Sequence, residues 1–126
     1  MTTGGYYNPS GTRVVGVNEQ TGTTYTPVLS DAGKVVRCTN ANPVYVTVPK
    51  DVFPLYTVIT LEQGGAGSIL IDGATDVTVN AVEDKFMSQG QDSQLQIYQR
   101  ALNIWTCVGG IESDITTTAA PTTTAP

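Results

Sequence analysis

The groups in this chain that could hold a proton, a metal or a nucleophile are few. Histidine is absent, which removes the commonest general base and the commonest transition-metal ligand. Without an imidazole, the many Ser and Thr hydroxyls lack their usual activating partner. Asp72 and Asp76 could form a carboxylate pair of the kind that hydrolyses glycosidic bonds. Asp72-Gly73 is more simply a turn, since Asp tolerates left-handed backbone and bonds the chain just after it. A structural role is therefore expected for both acids. Glu83-Asp84 lacks calcium-loop spacing and reads as a solvated loop or a weak cation contact. Gly64-Gly65-Ala66-Gly67 has the glycine density of a phosphate cradle, but neither a Lys-Ser/Thr pair nor a helix follows it. Cys38 and Cys107 cannot build a zinc site alone. Two free, buried thiols are expected, with a disulfide open if their strands adjoin. Trp105 reads as a core residue, with a sugar-stacking platform as the sharper alternative. No catalysis, no cofactor and no metal are expected.

Charge narrows the partners. The net charge is −5, and Arg13, Lys34, Arg37, Lys50, Lys85 and Arg100 are dispersed along the sequence. A clustered basic footprint for nucleic acid is missing. No apolar run is long enough to cross a bilayer. The opening MTTGGYYNPSGT has no basic or apolar region of a secretory signal, so synthesis in a cytoplasm is expected.

The elements that would position these groups are strands. The 126 residues include 20 Thr, 15 Val and 7 Ile, a β-branched third of the chain that suits pleated sheet. Charged residues make up 13%, about half the usual share, which argues against disorder in the main body. One domain is expected. Strand-like runs cover 13–17, 23–29, 34–39, 44–48, 56–63, 68–71, 77–79, 85–87, 93–100 and 103–108. Val44, Val46 and Val48 should share one face. Leu95 and Ile97 should point inward, with Tyr98 and Leu102 contending for the interior. The runs 56–63 and 68–71, joined through Gly64–Gly67, carry a hairpin signal. Spacing too short for βαβ crossovers predicts an all-β, antiparallel β-sandwich or small barrel.

Residues 1–12 form a Gly- and Tyr-rich N-terminal arm, 13–115 the β domain, and 116–126 a Thr/Ala/Pro-rich tail. The tail should be extended, or ordered only against a neighbour. Tyr supplies large contact area at little entropy cost. Tyr6, Tyr7 and Pro9 in the arm and Pro121 in the tail are thus the candidate partner-binding residues.

The order of turn and core residues carries a resemblance. Asp31-Ala32-Gly33-Lys34-Val35-Val36 is followed by Val46-Thr47-Val48-Pro49 and Phe53-Pro54. Then come Gln63-Gly64-Gly65-Ala66-Gly67, Val77-Thr78-Val79-Asn80 and Trp105-Thr106-Cys107-Val108-Gly109-Gly110. Over about residues 23–110 this resembles a β-rich module of tailed-bacteriophage virion proteins. It departs after Phe-Pro, where Leu55-Tyr56 replaces the usual Gly. The module occurs in head fibres, capsid decorations and tail fibres, so the resemblance implies a non-enzymatic virion part. A single small module with two arms suits a capsid decoration or cement protein. Such a protein would be a homotrimer on the outer head, bound to the major capsid protein or another virion protein. The alternative is a fibre adaptor or receptor-binding module contacting host cell-surface glycan. Its candidate shelf residues are Tyr6, Tyr7, Tyr45, Tyr56, Tyr98 and Trp105.

Overall fold

The computed structural model describes residues 6–7, 13–14 and 16–112, with side chains from residue 16 onward. The described chain is all-β, with two single 3-10 turns and no α-helix. β1 (Tyr6–Tyr7) and β2 (Arg13–Val14) pair antiparallel as a two-stranded sheet, Tyr6 opposite Val14 and Tyr7 opposite Arg13. The remaining strands are β3 (Val17–Gln20), β4 (Thr24–Tyr25), β5 (Val35–Cys38), β6 (Val44–Val48), β7 (Val58–Gln63), β8 (Ile69–Gly73), β9 (Thr78–Asn80), β10 (Gln94–Ala101) and β11 (Ile104–Val108).

These nine strands form two sheets. A six-stranded sheet runs β3-β5-β7-β10-β11-β9, and a three-stranded sheet runs β4-β6-β8. From β3 to β8 the chain alternates between them. Each return therefore lands beside the previous visit in the same direction. β3-β5, β5-β7, β4-β6 and β6-β8 are all parallel, as is β9-β11. Only β7-β10 and β10-β11 are antiparallel within the two sheets.

The expectation of antiparallel pairing is thus corrected for most strand pairs. A parallel neighbour needs a crossover, but the crossover need not be a helix. Here the strand in the opposite sheet is the crossover. The hairpin expected across Gly64–Gly67 is corrected on the same ground, since β7 and β8 belong to different sheets. The segment expected as a strand at 85–87 contributes only Met87, which bridges Leu70 and Ile111.

The core lies between the sheets. Val36 and Cys38, Ile59 and Leu61, Leu95 and Ile97, and Trp105 and Cys107 come from the larger sheet. Val44, Val46, Val48, Ile69 and Ile71 come from the smaller one, and all join a single buried cluster. Strict alternation puts these side chains inward and their neighbours outward. Burying each large aliphatic side chain stabilises the fold by about 1.5–3 kcal/mol. Phe53 meets Trp105 edge-on, with ring centroids 5.6 Å apart.

Candidate functional site

Three buried polar groups dominate the interior, and each fastens a turn. Asp31 is fully buried. Its carboxylate accepts from the Tyr25 hydroxyl at 2.5 Å, Asn18 Nδ2 at 2.9 Å and the Val28 N–H at 3.0 Å. Burial, and then the hydrogen bond to Asp31, pushes the Tyr25 phenol well above its usual range, so it stays protonated and donates. Asp31 thereby ties β3, β4 and the 3-10 turn Leu29–Asp31 together. Gln63 Oε1 accepts from Ser88 Oγ at 2.6 Å, and Ser88 Oγ accepts from the Ile69 N–H at 2.8 Å. Gln63 Nε2 donates to the carbonyls of Gly65 and Ala66. Gln99 Nε2 donates to the carbonyls of Phe53 and Pro54 at 3.0 and 2.8 Å, while its Oε1 accepts from the Asn103 N–H at 2.8 Å.

The groups considered for chemistry have structural partners or stand apart. Asp72 Oδ1 accepts from the Gly73 N–H at 2.8 Å, as its turn reading requires. Asp76 faces Lys50 Nζ at 3.5 Å. Glu83 pairs with Lys85 at 3.0 Å. Asp72 and Asp84 both line an open depression of about 430 Å³ between β8, β9 and Phe86. No group of three His, Cys, Asp or Glu side chains that could hold a metal occurs among the described residues. The Gly-rich stretch is a packing device. A Cβ at Gly65 would lie 2.5 Å from the Thr39 carbonyl oxygen, and one at Gly67 would lie 1.8 Å from that of Asn42. Cys38 and Cys107 are free and buried. They sit on β5 and β11, which are not neighbours in the sheet. Burial pushes both thiols up to about 11, which leaves them protonated and unreactive at neutral pH.

The aromatic residues divide between core and surface. Trp105 is fully buried and is no platform. Tyr45 is exposed on β6. Tyr56 and Tyr98 stack beside each other in the open, with centroids 6.5 Å apart and planes at 19°. Tyr98 and Leu102, which contended for the interior, are both exposed, and Gln99 takes the inward place instead. The alternation Leu95, Ile97, Gln99 already held that signal. Leu55 and Tyr56 form an exposed corner beside Tyr98. On the same outer face Arg37 bonds Glu62 at 2.9 Å and lies 3.8 Å from Glu19 and from Asp92. Solvent screens such exposed pairs, so they orient side chains more than they stabilise the fold.

Of the four candidate partner-binding residues, Tyr6 and Tyr7 are the backbone of β1. Pro9 and Pro121 lie outside the described residues, as does the tail. No helix among the described residues is long and apolar enough to cross a membrane. No protein-family model matches the chain, and neither a curated protein nor a solved structure matches it with significance.

Proposed function

We propose that this chain is a non-enzymatic structural protein of a tailed-bacteriophage virion. In this reading it is a capsid decoration or cement protein on the outer head. It binds the major capsid protein or another virion protein as a homotrimer, without nucleic acid or membrane contacts. The architecture we infer is a short coil of three two-strand turns, β3-β4, β5-β6 and β7-β8, extended by β10 and β11. It takes the place of an antiparallel sandwich or barrel.

One observation carries the reading. The polar and Gly residues that give the resemblance have scaffold duties. Asp31 closes the first turn, and Gln63 with Gly65 and Gly67 locks the corner between β7 and β8. Trp105 fills the core. Such a module offers faces and arms for contact rather than a reactive pocket. Each copy would bridge neighbouring capsid subunits and resist the outward pressure of packaged DNA.

A second reading, an adaptor or receptor-binding module for host cell-surface glycan, is favoured by the exposed Tyr56–Tyr98 pair. A cryo-EM map of the particle that carries the chain tests both. Density for the chain on the outer head supports the decoration role. Density confined to the tail favours the second reading, and its absence from the particle overturns both.

A further inference from the structure

Tyr56 has φ of +68°, a left-handed backbone that bulky side chains avoid. Among the described residues the other non-Gly positions with positive φ are Asp51, Asp76, Glu83, Asp84, Asp92 and Asn103, acidic or amide side chains rather than rings. A conformation of this kind persists only where its surroundings over-determine it, and here Gln99 does so. The Tyr56 N–H donates to the Gln99 carbonyl at 2.8 Å, and the Gln99 N–H donates to the Thr57 carbonyl at 2.9 Å. The Gln99 side chain holds the Phe53 and Pro54 carbonyls. A buried clamp thus holds a strained loop whose product is an aromatic ring in solvent. Tyr56 is 66% exposed and Tyr98 38% exposed. Packing does not require this, because the ring buries little.

The surroundings suggest what the rings meet. Gln96 and Tyr98 alternate with buried Leu95 and Ile97 on the outer face of β10, and exposed Arg100 follows them where the strand register shifts between Gln99 and Ala101. Arg37, Lys50 and Lys85 each face a carboxylate. Arg100 is exposed and has no ion-pair partner among the described residues. A pyranose presents a C–H face that docks on an aromatic ring and hydroxyl edges that bond amides and phenols. A guanidinium beside it fits a carboxylate through paired N–H donors. Single-stranded nucleic acid is the competing ligand, because its bases also stack on tyrosine rings, and the titration below separates the two.

We propose that Tyr56 and Tyr98, flanked by Gln96 and Arg100, form a binding shelf for an acidic, uronate-type saccharide. This deepens the second reading above and is independent of the capsid role. Its test uses the free chain, so its failure is distinguishable from a failure seen in the particle map.

Calorimetric titration of the full chain with oligo-mannuronate, maltohexaose and oligothymidine tests the shelf. The uronate binds, the neutral sugar binds at least about tenfold more weakly, and the oligonucleotide does not bind. Tyr56→Gly, freed of the left-handed strain, melts no lower than the parent yet binds the uronate about tenfold more weakly, the scale of one lost aromatic contact. Arg100→Gln removes the preference for uronate over neutral sugar. In the parent, uronate shifts the backbone NMR signals of residues 55–57 and 96–100, a readout that needs no variant. No uronate binding, equal binding of the neutral sugar, tighter binding of the oligonucleotide, or shifts confined to other residues would each overturn the proposal.

Discussion

Asp31 is the most consequential single side chain in the scaffold. Its carboxylate is fully buried and accepts three hydrogen bonds. Asp31→Ala would strand the Tyr25 hydroxyl, the Asn18 amide and the Val28 N–H, each at a cost of about 1–3 kcal/mol where it stays out of water. Urea unfolding should show a loss of about 3–5 kcal/mol. Asp31→Asn keeps one acceptor oxygen and should lose less. An Asp31→Ala midpoint within error of the parent would remove the turn-closing role. The two thiols give a pH prediction at the same scale. Burial raises Cys38 and Cys107 from 9.0 to about 11. The folded state therefore keeps protons that the unfolded state releases from about pH 9 upward. The thiol contribution is fully present below pH 9 and is lost as pH rises toward 11. Chemical denaturation from pH 8 to 11 should show a shallower decline for the Cys38→Ala/Cys107→Ala variant than for the parent. Equal slopes would contradict the burial of both thiols.

At the scale of elements, faces were legible and partners were not. The alternation Val44, Val46, Val48 placed those residues inward, and Leu95 with Ile97 behaved alike. A period of two fixes which side chains share a face, but it is blind to which strand lies alongside. The parallel pairing of β5 with β7 and of β6 with β8 depends on the chain crossing between sheets at each corner. The corner residues looked like hairpin glycines. Their reason is close approach, since the loop at Gly65 and Gly67 lies against the Thr39–Asn42 loop of the preceding turn. Gly67→Ala would drive a Cβ into the Asn42 carbonyl, while Gly90→Ala meets nothing within 4 Å. Thermal melting should place Gly67→Ala about 1–3 kcal/mol below the parent and Gly90→Ala within about 0.5 kcal/mol of it. Equal melting of the two variants would contradict the stacked-corner account. The surface pair was half legible. Tyr56 and Tyr98 stood among the shelf candidates, but the left-handed backbone that presents Tyr56 arises from the Gln99 clamp, whose members are far apart in sequence.

For the whole molecule, the proposed capsid role puts attachment on the arms and outer faces, while the two-sheet core supplies stability. Removing residues 1–12, or replacing Tyr6 and Tyr7 with Ala, should leave the melting temperature of the β domain unchanged and weaken binding to the particle. Removing residues 116–126 should have a smaller effect of the same kind, because Thr and Ala offer less apolar area per residue. Light scattering should return a mass of about 40 kDa, three copies of the 13.3 kDa chain, either free or on release from the capsid. The measurement that bears most directly on the central claim is co-sedimentation of the purified full chain with phage heads assembled without it. The account predicts saturable binding in multiples of three, and heads that withstand higher temperature once occupied. A chain that stays in the supernatant at every concentration, as a monomer, would contradict it.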